Sequence, residues 1–370
     1  MTISQNKTLD EFDKKFMSYA LNLSKKHLGK TAPNPVVGCV IVADGEIISS
    51  GVTAKNGRPH AEKIAIDKVV DRKILKNSTI YVTLEPCSHV GQTPPCVDEI
   101  IKCGFAKVVI ATKDSDSRVN GTGIKKLEDA GIEVVCGILE KEAREINRGF
   151  FSTREKNRPF VTLKLATSLD GKIATKNFDS KWITSQQARN FAHHLRGIND
   201  AILVGANTVR YDDPSLDCRI SGLEDFSPTR VIISKSLDLN SDAKIFQNCD
   251  KISTLILTCN SQKKSPSPQA KIILCAEKNG EVNLQNALKK LAENGINSLL
   301  IEGGQKIATA FLKENLVDEL VWIKNKKIVG NDGIAAIGDF DITAISKALA
   351  HFKQMEVREL EEDVITIYRS

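Results

Sequence analysis

The chain has 370 residues, 41% hydrophobic and 26% charged, with no low-complexity tract, a globular composition whose length suits two domains better than one. No stretch approaches the roughly 18 consecutive apolar residues of a membrane-spanning helix, and the polar N-terminus, acidic within its first dozen residues, does not read as a signal peptide. The formal charge of +6 is spread evenly over the two halves and aromatics make up only 5%, so a phosphorylated small molecule fits at least as well as a nucleic-acid partner.

In chain order, Thr8-Leu9-Asp10-Glu11 reads as a capping box opening a helix whose apolar face carries Phe12, Phe16, Tyr19, Ala20 and Leu23. After Ala32-Pro33-Asn34-Pro35, an apolar run from Val36 to Val42 meets Asp44-Gly45 and returns through Ile47-Ile48, a hairpin signature. A helix follows over 60–70 and a strand over 79–84. The pattern then alternates: helix 96–103, strand 108–111, helix 124–130, strand 134–139. Such alternation means an α/β layered domain. The charged segment 140–158 begins as helix and stops before Pro159, and the domain boundary is set near 150, giving domains 1–150 and 151–370. The second domain starts a new α/β series. Its strands fall at 160–166, 201–204, 230–233, 255–258, 271–274, 298–301 and 319–323, and its helices at 185–196, 284–293 and 305–314.

Nine cysteines without a secretory signal read as reduced cytoplasmic thiols. Cys39, Cys103, Cys136, Cys259 and Cys275 lie in apolar runs and read as small core residues. Cys87 and Cys96 stand apart, in polar, Pro-rich surroundings close to His89.

His60-Ala61-Glu62 opens a helix, and Glu85-Pro86-Cys87 through Pro94-Pro95-Cys96 follows a strand. One imidazole (His60) and two thiolates (Cys87, Cys96) make three zinc ligands and leave a fourth position for water, whose pKa zinc lowers to about 7. Glu62 is not a ligand; it can take the water proton and deliver it to the ring nitrogen and then to departing ammonia. This is the general zinc-deaminase pattern of H-x-E followed by P-C-x-x-C, except that eight residues rather than two separate the cysteines. A structural zinc would want a fourth protein ligand, for which His89 is the nearby candidate.

The stretches PNPVVGCVI, GRPHAE and YVTLEPCSHVGQTPPC resemble the deaminase half of the bifunctional riboflavin-biosynthesis deaminase/reductase family, in which the long insert ending in TPPC is characteristic. The resemblance implies that Asn34 hydrogen-bonds a pyrimidine and that His89 and the 89–93 loop face the substrate. Read by itself, Asn34 is also an ordinary turn-former between two prolines. The family usually has Lys or Arg where this chain has Gln92, and DPNP where it has Asp114-Ser115-Asp116-Ser117. Both departures bear on phosphate contacts and leave the zinc chemistry untouched.

LKLATSLDGKIA, SKWITS, LRGINDAILVGANTVRYDDPSLDCR, LLIEGG and VDEL, in that order, resemble the dihydrofolate-reductase-like half of the same family. The implied fold is therefore α/β throughout: a cytidine-deaminase-like three-layer domain, then a dihydrofolate-reductase-like one. The resemblance places Ala166, Trp182, Thr208 and Asp212 beside NADPH, with a dinucleotide site along Gly304, Gln305, Lys306, Ile307, Ala308, Thr309 and Ala310. Ser180, Arg196, Leu216 and Arg219 fall beside a sugar-phosphate substrate, which Glu302 is expected to hydrogen-bond. Read from the residues, Ile301-Glu302-Gly303-Gly304 ends a strand and opens a helix, whose free N–H groups can hold a phosphate. The two arginines suit bidentate phosphate binding, Trp182 could equally be core, and Lys164, a lysine among apolar neighbours on a strand, is the candidate for contacting the substrate or cofactor. Departures here are Phe178 for Gly, Asp217 for Thr and Asn325-Lys326 for Ala-Pro; Asp217 adds negative charge beside the proposed phosphate pocket.

The expected function is two successive steps. The first domain, with one zinc, would deaminate 2,5-diamino-6-(5-phosphoribosylamino)pyrimidin-4(3H)-one. The second would use NADPH to reduce the ribosyl group of 5-amino-6-(5-phosphoribosylamino)uracil to ribityl. The alternatives are a deaminase whose second domain is not catalytic, and a nucleic-acid base deaminase, which the even charge and the TPPC insert oppose. Small phosphoribosyl pyrimidines are the expected partners, with no membrane or nucleic acid, and a homo-oligomer remains open.

Overall fold

The computed structural model describes residues 3–91, 93–116 and 119–370, with the backbone alone described for 3–10. The chain forms two compact units that divide between Asn157 and Arg158. The boundary expected near 150 falls inside a helix whose Phe150 and Phe151 are buried among the apolar residues of the first unit.

The first unit runs α1 (Ile3–Lys25), β1 (Gly38–Ala43), β2 (Glu46–Val52), α2 (Ala61–Asp67), β3 (Thr79–Val82) and α3 (Cys96–Cys103). It continues with β4 (Lys107–Ile110), α4 (Thr122–Asp129), β5 (Glu133–Cys136), α5 (Glu140–Ile146) and α6 (Arg148–Lys156). Because α1 starts at Ile3, Thr8 lies within the helix and not at its cap; the side chains of Thr8, Leu9 and Asp10 lie outside those described. The sheet order is β2-β1-β3-β4-β5, with β1 antiparallel to β2 and β3, and β3, β4 and β5 parallel. Asp44 and Gly45 join β1 to β2 with φ of 50° and 81°, the pair of positive values that a tight two-residue hairpin turn needs.

Side-chain alternation makes this sheet the middle of three layers. Cys39, Ile41, Ile80, Val82, Val108 and Ile110 join Ala65 and Ile66 of α2 and Val97 and Ile100 of α3 in one core. Val40, Val42, Tyr81 and Val109 point the other way, onto Phe16, Met17 and Ala20 of α1 and Ala143 and Ile146 of α5. Cys136, expected in the core, is exposed because β5 is an edge strand; Cys103 and Cys259 are half-buried.

The second unit runs β6 (Phe160–Thr167), β7 (Lys172–Ala174), α7 (Gln186–Ile198), β8 (Ala201–Gly205), α8 (Ala206–Asp212), β9 (Thr229–Ile233) and β10 (Thr254–Thr258). Next come β11 (Lys271–Leu274), β12 (Glu277–Lys278), β13 (Glu281–Val282), α9 (Leu284–Glu293), β14 (Ser298–Ile301) and α10 (Gln305–Lys313). It closes with β15 (Glu319–Asn325), β16 (Ile334–Ala335), β17 (Lys353–Leu360) and β18 (Asp363–Arg369). Its main sheet has the order β11-β10-β9-β8-β14-β6-β15-β18-β17. It is parallel up to β15, and β18 and β17 extend it antiparallel.

Val161, Leu163 and Leu165 of β6 face Leu288 and Leu291 of α9 and Phe311 and Leu312 of α10. Ile202 and Val204 of β8 turn to the opposite face, under Ala188 and Leu195 of α7. By the same alternation Lys164 belongs to the α7 side of the sheet. Among the described residues, no helix is long and apolar enough to cross a membrane.

Candidate active sites

In the first unit His60 stands immediately before α2, in extended conformation with φ −71° and ψ 158°. Gly51 of β2 permits this, since a Cβ there would sit 2.2 Å from the Ala61 carbonyl oxygen. Only a glycine lets the start of α2 settle that close to the strand. Cys96 is the first residue of α3, and Cys87 lies in the loop after β3. The His60 Nδ1 lies 3.3 Å from Cys96 Sγ and 3.7 Å from Cys87 Sγ, and all three atoms fall within 4.8 Å of one another. Ordinary Zn–N and Zn–S bonds at tetrahedral angles separate N from S by about 3.5 Å. The donor set therefore fits zinc as it stands.

His89 is not part of that cluster among the described residues. Its Nδ1 is buried without a hydrogen-bond partner, and the residue lines the adjoining cavity. Three ligands with one open position are what catalysis needs, and what a structural zinc lacks. Glu62, buried in the first turn of α2, lines the same cavity. Burial pushes its carboxyl up, against the pull of His60, so it is suited to carrying a proton. The Cys87 thiol is held well below its ordinary range, chiefly by hydrogen bonding with Cys96 and also with His60.

The open cavity is lined by Asn34, Arg58, His60, Glu62, Cys87, His89, Thr93, Asp114 and Arg154, among others. Asn34 is more than a turn-former: its Nδ2 donates to the Gly57 carbonyl at 2.9 Å, fixing the amide in the wall. Gln92 and Ser117 lie outside the described residues. Sequence reasoning missed Glu85. Its buried carboxylate accepts N–H bonds from Asp114, Gly121, Gly123 and Ile124 at 3.2, 2.9, 2.9 and 3.3 Å, tying the loop before α4 to the Pro86-Cys87 segment. Gly123 is required there: a Cβ would lie 2.5 Å from the Pro86 carbonyl oxygen and 3.1 Å from Glu85 Oε1.

In the second unit, β8 and β14 are parallel neighbours, yet Val209 of α8 and Ala308 of α10 pack on opposite faces of the sheet. Such a reversal opens a crevice at the carboxyl ends of the two strands, the usual place for a dinucleotide. Gly304 caps α10 without any side-chain hydrogen bond, leaving the first N–H groups free for a phosphate. A Cβ on Gly304 would lie 3.8 Å from Thr208 Oγ1, so the two helix starts face each other. These residues fit a pyridine dinucleotide. Lys306 is exposed, whereas Ala308 is wholly buried and the Thr309 hydroxyl is engaged by the Gln305 carbonyl and the Gly338 N–H. Gln305, Ile307, Thr309 and Ala310 stand half-buried on the same helix.

Glu302, just past β14, receives Arg196 Nε at 2.8 Å and Nη2 at 3.0 Å, with Lys164 Nζ at 3.4 Å. Burial would raise its carboxyl, but Arg196 and Lys164 hold it down at about 2. Arg196 also donates to the Asp217 carbonyl at 3.0 Å, so it is the partner of Glu302 and not an open phosphate clamp. Arg219 is 64% exposed, with Nε 3.4 Å from Asp217 Oδ1. His193, not singled out in the sequence, lies between them: its Nδ1 is 3.2 Å from the Asp217 carbonyl and its Nε2 is 3.4 Å from Arg219 Nη2. Leu216 is buried, Ser180 and Ala166 are half-buried, and burial raises the Asp212 carboxyl. Trp182 is 60% exposed under the Arg189 guanidinium and is not a core residue.

A two-thiolate, one-imidazole metal centre with a buried glutamate, followed by a sheet with a dinucleotide crevice, defines a zinc deaminase joined to a nicotinamide-dependent reductase. Residues 10–112 match the cytidine and deoxycytidylate deaminase zinc-binding region, and residues 159–366 match the RibD C-terminal domain. The chain belongs to the RibD family of riboflavin biosynthesis proteins. It is 42% identical to the RibD of Aquifex aeolicus over 97% of this chain and 99% of that one. To the RibD of Escherichia coli it is 35% identical over 95% and 98%. The crystal structure of a Thermotoga maritima diaminohydroxyphosphoribosylaminopyrimidine deaminase/5-amino-6-(5-phosphoribosylamino)uracil reductase superposes with a TM-score of 0.87 at 36% identity, covering 97% of this chain and 99% of that one. Both halves of the bifunctional family are present, with its zinc and NADPH chemistries. That sets aside the alternative of a deaminase with a non-catalytic partner domain.

Proposed function

We propose that the first unit deaminates the 2-amino group of 2,5-diamino-6-(5-phosphoribosylamino)pyrimidin-4(3H)-one, and that the second reduces the ribosyl group of the resulting aminouracil. The observation that carries this is the His60, Cys87 and Cys96 set with buried Glu62 on the same cavity wall. Zinc held by that set supplies a Lewis acid that makes water nucleophilic at neutral pH. Glu62 would take one proton from the attacking water and hand it to the ring nitrogen, then carry the remaining hydroxyl proton to the amino group, which leaves as ammonia. Asn34, anchored on Gly57, and His89, with its unpartnered Nδ1, hold the pyrimidine.

In the second unit the start of α10 and Thr208 would hold the phosphates of NADPH, which would supply the hydride. Ala166, Trp182 and Asp212 complete the cofactor side of the crevice. Lys164 and Glu302 hold the sugar, Arg219 takes its phosphate, and Ser180 and Leu216 shape the wall. Arg196 orients Glu302. Nine cysteines, none of them in a disulfide, support assignment to the reducing cytoplasm.

The test supplies the diaminopyrimidine with and without NADPH, following ammonia and the nicotinamide absorbance. Ammonia should appear in both cases, and NADPH should be consumed only after it. Glu62→Gln should stop ammonia release yet still oxidise NADPH when given 5-amino-6-(5-phosphoribosylamino)uracil. A folded Glu62→Gln protein that leaves NADPH untouched would refute two independent sites.

A further inference from the structure

A phosphoribosyl substrate brings a dianion into the first unit's cavity, and that cavity has to answer it with a cation. Two arginines line it, Arg58 and Arg154. Arg154 is committed: its Nε lies 3.3 Å from Asp116 Oδ2, and its guanidinium rests 5.2 Å from the Phe150 ring centre. The four N–H bonds to Glu85 answer that carboxylate, and Asp114, whose carboxyl burial pushes up to about 6, accepts the Asp116 N–H at 2.8 Å.

Arg58 differs. It stands two residues before His60, and its Nη1 donates to Thr93 Oγ1 at 2.6 Å. Its Nη2 lies 3.4 Å from where a Cβ on Gly91 would be. Its side chain thus reaches the loop between the two cysteines, and Gln92 gives that loop no charge of its own. Among the described residues, no carboxylate lies within ion-pair distance of Arg58, and its Nε and Nη2 have no hydrogen-bond partner. An arginine held by one nitrogen, with its other edge open to a cavity, is prepared for two phosphate oxygens.

We propose that Arg58, steadied by Thr93, anchors the substrate phosphate in the deaminase cavity and makes that cavity selective for phosphorylated pyrimidines. The inference rests on the deaminase reading above. The test compares kcat/KM for ammonia release from the phosphoribosylamino substrate and from its dephosphorylated ribosylamino counterpart, using full-length zinc-loaded protein. The native enzyme should favour the phosphorylated compound. Arg58→Ala should reduce that preference about ten- to a hundred-fold, mainly through KM. Arg58→Gln, which keeps a donor for Thr93, should do the same, and Arg58→Lys should recover part of it. One zinc per chain in each variant shows that the site has folded. An unchanged preference in Arg58→Ala and Arg58→Gln overturns the anchor, as does a native enzyme that treats both compounds alike while releasing ammonia. No ammonia from either compound with the native enzyme overturns the deaminase reading itself.

Discussion

Arg196 meets Glu302 edge to edge, with Nε 2.8 Å from one carboxylate oxygen and Nη2 3.0 Å from the other. Lys164 adds its ammonium at 3.4 Å, so one buried anion serves two cations at the edge of the reductase crevice. One positive charge is left over, and the pairing fixes Glu302 without using up its hydrogen-bonding capacity.

The first prediction concerns acid stability. Glu302 titrates near 2 in the folded protein against an ordinary 4.5. A depressed folded value adds stability that is fully present above pH 4.5 and is lost as pH falls towards 2; integrated, it is on the order of 3 kcal/mol. Glu302→Gln should lose that increment, so the stability gap to native narrows between pH 4.5 and 2. Urea melts across that range measure it, and a gap independent of pH would mean the carboxylate is not held ionised.

A second prediction separates ligation from proton transfer. Cys87→Ser and Cys96→Ser should lose zinc, whereas Glu62→Gln should retain one zinc per chain and release no ammonia. Metal analysis of the purified proteins decides. A full zinc complement in either serine variant would break the ligand set, and brisk turnover by Glu62→Gln would remove the glutamate from the mechanism.

Gly123→Ala tests the support beneath the metal centre. Its methyl would press on the Pro86 carbonyl from 2.5 Å, one residue from a proposed ligand. Overpacking of this kind costs about 1–3 kcal/mol. We expect a lower melting temperature and faster zinc loss to a chelator. Native-like values of both would show that the loop before α4 yields without disturbing Cys87.

The fourth prediction uses the charge beside Arg219. Asp217→Thr removes the carboxylate 3.4 Å from the Arg219 Nε. KM for the sugar-phosphate substrate of the reductase should fall severalfold, and the gain should shrink at high salt because both groups reach solvent. Arg219→Ala should raise the same KM. If neither variant moves KM while NADPH binding is intact, the phosphate is held elsewhere.

Much of this was readable in the sequence where chemistry or local geometry leaves little choice. His60, Glu62, Cys87 and Cys96 could be named because few residue types bind zinc or shuttle protons. Asp44-Gly45 announced its turn, and α3 and α9 were legible to the residue because each has a clear apolar period and a local stop, such as Gly104 in the left-handed region. The strand β17 was not legible: most of Lys353–Leu360 is exposed, so no alternation marks it. Helix α8 is only seven residues long and buries Val209 alone. Glu85, Arg58 and His193 escaped for another reason. Their roles come from partners 24 to 39 residues away, which only the fold brings near.

The position of β14 also bears on how the protein is made. Residues leave the ribosome in order and domains fold as units. The metal-binding side chains have all emerged by Cys96, and the first sheet is complete by Cys136. The second sheet is different, because its central strand, Ser298–Ile301, must enter between β8 and β6 long after both have been synthesised. Until then two parallel strands wait with unpaired edges and no centre, free to pair with each other in a register that β14 would have to displace. During translation, then, a nearly finished hydrolase trails an oxidoreductase that cannot begin to close until its last third arrives. The exposure to aggregation and the call on chaperones fall on the second half of the chain.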